Sequence, residues 1–225
     1  MNIIWHGQSC FQITATQGKN NHLSIVIDPF DESIGLRLPK LEADVLLVTH
    51  HHPDHNNVKA VSAPPWAGAE KAPFLIEGPG EYEIKDVFIQ GISAFHDSSF
   101  GKERGLNTIY TIDLNGMRLC HLGDLGQKEL TPEQLEKIGE IDILMIPVGG
   151  IYTISAKEAV KIMSQIEPSI TIPMHYQIPK LNLKLDSLDK FLKTMGMKKI
   201  EPVAKLSIKK KDITPEEAKI VVLKP

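Results

Sequence analysis

The sequence predicts one α/β domain, residues 1–225, in which two β-sheets lie in contact and helices pack outside them. Three observations carry this expectation. Short apolar runs of strand character fill the first half of the chain. Strand and helix patterns alternate through the second half. No Pro/Gly/Ser-rich or charged linker divides the 225 residues.

The chain opens with the apolar runs Asn2–Trp5, Cys10–Thr14 and Leu23–Asp28, the last two separated by a polar turn containing GKNNH. That is the pattern of a strand meander. Ala43–Thr49 is nearly all apolar, as in a strand covered on both faces, and delivers the chain directly into HHHPDH. Pro64–Tyr82 is rich in Gly, Pro and Ala and reads as loop with one or two short strands, followed by the strand Val87–Phe95. After the polar loop HDSSFGKERG, Thr108–Leu114 and Met117–Leu122 form a hairpin across Asn115-Gly116, a strong two-residue turn signal. Thr131-Pro132-Glu133-Gln134 combines an N-cap, a first-turn proline and a capping-box partner, and Gly139 supplies the exit of that helix. Ser155-Ala156-Lys157-Glu158 repeats the capping box ahead of AVKIMSQI, and Pro168 follows its end. A third helix, containing DKFLKTM, starts at Asp186 or Ser187 and stops at Gly196. The strands IDILMIPV and SITIPMH lie between these helices.

Composition narrows the class. With 42% hydrophobic and 24% charged residues the chain matches soluble globular averages, which excludes disorder and coiled coil. The N-terminal MNIIWHGQSCFQI has neither a basic leader nor a long apolar run, and no apolar stretch is long enough to span a membrane. A cytoplasmic protein with no membrane partner is expected. Cys10 and Cys120 are too few for a disulfide framework and are expected to be buried thiols. The net charge of −3 argues against a protein built mainly to coat nucleic acid, yet it hides a basic window. Lys180–Lys211 holds ten lysines against three acids, a net of +7.

Histidine is even more unevenly placed: four of the nine fall between His50 and His55. In an extended segment leaving a strand, residues two apart point the same way, so His50 and His52 can converge on one metal while Asp54 and His55 reach a second point nearby. His51 must then face away. A histidine-rich surface loop would not explain an aspartate at this spacing after a buried strand. His96, Asp124 and His175 each stand at the C-terminal end of an apolar strand, where an α/β protein gathers its site. His50, His52 and His96 would make one tripod and Asp54, His55 and His175 another, with Asp124 between them. Imidazole and carboxylate donors suit two divalent ions drawn from Zn²⁺, Mn²⁺ and Fe²⁺ and would serve Ca²⁺ poorly.

These residues resemble the metallo-β-lactamase-fold hydrolases. His50-x-His52-x-Asp54-His55 is similar to their signature, His96 to their next metal histidine, Asp124 in LGD to their bridging aspartate and His175 in PMHY to their last histidine. WHGQSCF, HLGDLG, PVGGIYT and IPMHY resemble, more narrowly, the compact branch related to ascorbate-6-phosphate lactonase. The resemblance spans nearly the whole chain. It implies an αββα sandwich, two sheets back to back with helices outside, and a dinuclear centre at one edge. Relatives often carry His where Gln8 and Gln127 stand, which bears on substrate recognition rather than on the metal shells. Asp124 in place of Cys argues against β-lactam hydrolysis as the main activity, and His52 in place of Glu favours hydrolysis over redox chemistry.

The expected activity is cleavage of a small phosphoester or lactone by a hydroxide held between two metals, with Asp54 as both ligand and catalytic group. Arg104, in the loop after His96, is suited to an anionic group, and Tyr152 and Tyr176 are candidates for the pocket wall. Two alternatives stand beside this reading. A nuclease is encouraged only by the lysine window, in which Phe191 is the sole interleaved aromatic residue. A metal-binding protein without turnover is the other.

Overall fold

Alternating burial along the N-terminal segment makes a strand with one covered face. In β1 (Asn2–Gly7), Ile3, Trp5 and Gly7 are buried while Asn2, Ile4 and His6 are partly exposed. The computed structural model describes residues 1–18, 21–67, 72–214 and 217–225. β1 runs antiparallel to β2 (Cys10–Gln17), which runs antiparallel to β3 (Asn21–Ile27), giving the expected meander. Residues 19 and 20 of its predicted turn lie outside the described residues. β4 (Leu41–Glu42), β5 (Val45–Leu47), β6 (Val61–Ser62) and β7 (Phe74–Ile76) follow. β5 and β7 extend the first sheet in parallel, and β4 and β6 pair with each other.

The second sheet begins with β8 (Gly80–Ile84), β9 (Val87–Phe95), β10 (Leu106–Leu114) and β11 (Met117–His121), all antiparallel. Asn115 and Gly116 both take positive φ, 53° and 72°, as their two-residue hairpin requires. α1 (Pro132–Ile138), β12 (Ile143–Pro147), α2 (Ala156–Ile166), β13 (Ile170–Met174) and α3 (Leu188–Thr194) then alternate. β12 and β13 are parallel to β11 and buried along their whole length, as strands covered on both faces should be. Both predicted capping boxes form, Thr131 with Gln134 and Ser155 with Glu158. β14 (Leu206–Ser207) returns to the free edge of β1, and β15 (Lys219–Ile220) adds to β13. Neither is readable in sequence, because two residues carry no periodicity.

The sheets run in the orders β14-β1-β2-β3-β5-β7 and β15-β13-β12-β11-β10-β9-β8. Their facing residues form a contiguous apolar core including Trp5, Phe11, Ile25, Leu46, Tyr110, Leu119 and Ile172. Each such side chain contributes on the order of 1.5–3 kcal/mol by leaving water. Polar ties also cross between the sheets: Tyr110 Oη donates to Val48 O at 2.9 Å, and the His121 ring packs edge-on against Phe11. This is the expected sandwich, with few helices.

The strand predicted over Ala43–Thr49 shortens to Val45–Leu47 for a reason that bears on function. The Thr49 N–H donates to the Asp28 carboxylate at 2.8 Å instead of to a neighbouring strand, which turns the chain out of the ladder one residue before His50.

Candidate metal centre

The C-terminal ends of β5, β9, β11 and β13 meet at one edge of the sandwich and deliver His50, His96, Asp124 and His175. His50, His52 and His96 each offer a ring nitrogen within 4.8 Å of the others, and Asp54, His55, Asp124 and His175 do the same with their own donor atoms. The structure thus brings together all seven residues that the sequence singles out, with Asp124 in the group of Asp54, His55 and His175. Asp124 Oδ2 lies 3.1 Å from His175 Nε2, 3.2 Å from His55 Nε2 and 3.4 Å from His96 Nε2, so it stands between the two groups. His51 points outward, its side chain 65% exposed.

Three residues not singled out for the site hold these donors in place. Asp28, fully buried, accepts from the Thr49 N–H at 2.8 Å, the Thr49 hydroxyl at 2.7 Å and His55 Nδ1 at 2.9 Å. Because the Thr49 hydroxyl donates to Asp28, it can only accept from His50 Nδ1, which lies 3.0 Å away. One carboxylate therefore holds the Nδ1 proton of both His50 and His55, so that Nε2 is the atom each would offer to a metal. Ser9 Oγ donates to Asp124 Oδ1 at 3.3 Å. Gln8, expected near the pocket, donates from Nε2 to Asp54 Oδ2 at 2.8 Å. Gln127 instead ties Phe95 N to Gln134 of α1 and so steadies the strand end before His96.

The electrostatics call for a cation. Burial alone would lower the His55 imidazole, but Asp124, Asp54 and Asp28 together hold it well above its ordinary value, so a proton balances the carboxylates. His55 Nε2 is buried, lies 3.4 Å from Asp54 Oδ2 as well as 3.2 Å from Asp124 Oδ2, and makes no hydrogen bond. Burial, reinforced by its histidine neighbours, drops His50 to about 2, keeping it neutral, and its Nε2 lies 3.1 Å from His52 Nδ1. Imidazoles facing carboxylates of lowered pKa, with a proton on His55 that a divalent ion can replace, are a donor set for such a metal, and these residues fit it.

Several backbones near the centre adopt the left-handed region without being glycine: Gln8, Asp28, Ile151 and His175, with φ of 50°, 49°, 61° and 51°. Such conformations persist where the surroundings over-determine them. At His175 the backbone N–H donates to Gln8 O at 3.0 Å, and Trp5 Nε1 donates to the same oxygen at 2.9 Å.

Of the residues expected to touch substrate, Arg104 and Tyr152 lie beside the centre, in a cleft that reaches His96. Tyr176 does not line it. Its ring is 5% exposed and packs against Trp5, with centroids 5.0 Å apart, because His175 turns the chain so that its neighbour enters the core. His121 accepts from Gly123 N and donates from Nε2 to Ser9 O, a structural tie. One end of the lysine window lies away from this centre. Lys210 pairs with Asp142 at 2.8 Å, at the start of β12, whereas the metal residues stand at the strands' other ends.

A β-lactamase superfamily domain profile matches residues 2–175. A UPF0173 metal-dependent hydrolase of Thermoplasma volcanium is 33% identical over 77% of this chain and 82% of its own length. Another from Thermococcus onnurineus is 31% identical over 76% and 82%. A candidate Zn-dependent hydrolase of the metallo-β-lactamase superfamily from Thermotoga maritima superposes with a TM-score of 0.76 at 36% identity, covering 99% of this chain and 97% of that one. Among the described residues, no helix is long and apolar enough to cross a membrane.

Proposed function

The chain belongs to the β-lactamase superfamily, among its metal-dependent hydrolases, and on that premise we propose that it cleaves a small phosphoester or lactone at a centre for two divalent ions. The observation that carries the reading is the placement of Asp124 Oδ2 within 3.4 Å of histidines from both groups. His50, His52 and His96 would hold one ion, Asp54, His55 and His175 the other, and Asp124 both. When bound, such ions lower the pKa of coordinated water from 15.7 toward about 7 and polarise the scissile carbonyl or phosphoryl oxygen.

The chain's own residues do the rest. Asp54 is the most exposed carboxylate of its group, its side chain 19% accessible against 3% for Asp124. It can therefore orient the attacking water and receive its proton at Oδ2, while the Gln8 amide fixes that oxygen. Asp28 and Thr49 hold the Nδ1 protons of His50 and His55, so that Nε2 is the atom each would turn to an ion. What favours a lactone is the resemblance of WHGQSCF, HLGDLG and IPMHY to the branch related to ascorbate-6-phosphate lactonase.

Metal content and turnover of bis(p-nitrophenyl) phosphate and a set of lactones, measured for wild type, His52→Ala and Asp124→Ala in Zn²⁺, Mn²⁺ and Fe²⁺, test this. Both variants should lose metal and activity together. A variant with full metal and full turnover would overturn the ligand set, and absence of turnover by metal-loaded wild type would favour a binding role.

A further inference from the structure

Two clefts run from the surface to the histidine cluster, and one side chain borders both. The first, about 350 Å³, passes His50 and His52 and is walled by Val48, Pro79 and Leu106. The second, about 200 Å³, reaches His96 past Ser98, Lys128, Tyr152 and Thr153. Arg104 lines both. Its guanidinium carbon sits 5.0 Å from the centroid of the Tyr152 ring, within cation–π range. Among the described residues, no carboxylate lies within ion-pair distance of Arg104 or Lys128.

The acids of the second cleft are already engaged. Asp97 accepts from the backbone N–H groups of Ser99, Gly101, Glu103 and Arg104 at 2.7, 2.9, 3.0 and 2.8 Å. Glu103 accepts from the Ser99 hydroxyl, and Glu158 from Ser155 N–H, each at 2.7 Å. By binding Arg104's own backbone, Asp97 pre-organises the loop that carries the guanidinium. Thr153 Oγ1 is buried there without a partner. The first cleft differs in character: its rim residue Leu106 is 63% exposed, a large apolar side chain left in water beside the metal histidines.

Resting on the hydrolase reading above, we infer that the substrate is amphiphilic. A small oxyanion, carboxylate or phosphate, is gripped by Arg104 on its Tyr152 seat, near Lys128 and the Thr153 hydroxyl. An apolar arm lies along Leu106 and Pro79, and the scissile group sits at the histidines between. Arg supplies the bidentate fork that such an anion wants. Tyr152 acts as a positioning residue.

The test is titration calorimetry of the metal-loaded protein with 4-phenylbutyrate, 3-phenylpropyl phosphate, butyrate and the neutral 4-phenylbutanamide. The two amphiphilic anions should bind at least tenfold more tightly than butyrate or the amide, and whichever binds more tightly identifies the oxyanion. R104Q should erase the advantage over the amide, Y152L should reduce it severalfold, and Y152F, which keeps a ring under the guanidinium, should retain it. L106S should weaken the phenyl probes and leave butyrate unchanged. The inference is overturned if R104Q binds the anions as wild type does, or weakens anions and amide equally, or if wild type binds no probe. Turnover separates the two readings. Arg104-dependent binding without cleavage of any ester, lactone or phosphodiester defeats the hydrolase reading alone, and cleavage with Arg104-independent binding defeats this inference alone.

Discussion

Replacing Asp28 by Asn should disable the metal centre without touching a ligand. Asp28 adopts φ 49°, a conformation that Asn tolerates equally well, so the backbone is not perturbed. The Thr49 N–H is a fixed donor and must keep the amide oxygen. The new NH₂ group then faces the Thr49 hydroxyl and His55 Nδ1, both of which donate in the wild type. Each must reverse to accept. His55 would carry its proton on Nε2, and Thr49 would donate to His50 Nδ1, moving that proton to Nε2 as well. Both lone pairs aimed at metal would be lost. Outer partners of this kind are worth about 10–100-fold in metal affinity, or about 1.4–2.7 kcal/mol. Exchanging charge-assisted for neutral hydrogen bonds should cost the metal-free fold about 2 kcal/mol, lowering Tm by about 4–8 °C for a chain of this size. Competition against a chromophoric chelator measures the first effect, and calorimetric melting of metal-free protein the second. Thr49→Val is the control, because it removes the hydroxyl between Asp28 and His50 but leaves Asp28 on His55 Nδ1, and should weaken the His50 group more than the His55 group. If D28N keeps metal affinity within twofold of wild type, the tautomer argument is wrong.

Three further outcomes follow from the same geometry. A Cβ at Gly149 would lie 2.0 Å from His175 O, and one at Gly126 2.3 Å from His96 O; G149A and G126A should each displace a ligand-bearing backbone, lowering metal content and costing about 1–3 kcal/mol in urea unfolding, and wild-type values for either would contradict the packing described. Burial holds His6, His50, His96 and His121 below their ordinary 6.5. The unfolded chain binds those protons first, so their contribution is fully present above about pH 6.5 and is lost as pH falls toward the folded-state values, about 2 for His50. His55, raised in the fold, has the opposite sign: its contribution is present below about 6.5 and is lost as pH rises through its folded value. Metal-free protein should therefore have a lower urea midpoint at pH 5 than at pH 8, because the four depressed histidines outnumber His55; an equal or higher midpoint would refute this. Metal must displace the His55 proton, so binding near neutral pH should release a proton, seen as a binding enthalpy that varies with the buffer's ionisation enthalpy. A buffer-independent enthalpy would contradict the protonated His55.

The sequence by itself determined the local chemistry. His50, His52, Asp54 and His55 are legible because their spacing is a property of a few consecutive backbone units, and His96, Asp124 and His175 because a polar residue ending an apolar strand marks a site edge in this class of fold. The caps at Thr131 and Ser155 and the Asn115-Gly116 turn were legible for the same reason: each is closed by hydrogen bonds within a few residues. Tertiary structure alone decided what lies behind and around the ligands. Asp28 reaches His55 across 27 residues only because β3 pairs in parallel with β5, setting Ile27 opposite Leu47 and bringing the two chain exits together. Gln8 meets Asp54 because the β1–β2 turn and the segment after β5 leave the same edge of the first sheet, and Ser9 meets Asp124 because the two sheets face each other at that edge. The same holds for what the structure separated: it sent Tyr176 inward onto Trp5 and Lys210 to the far end of β12. Side chains close in sequence share a local geometry that a pattern can express, whereas the partner of a buried carboxylate is set by strand register and sheet packing, which depend on the whole chain at once.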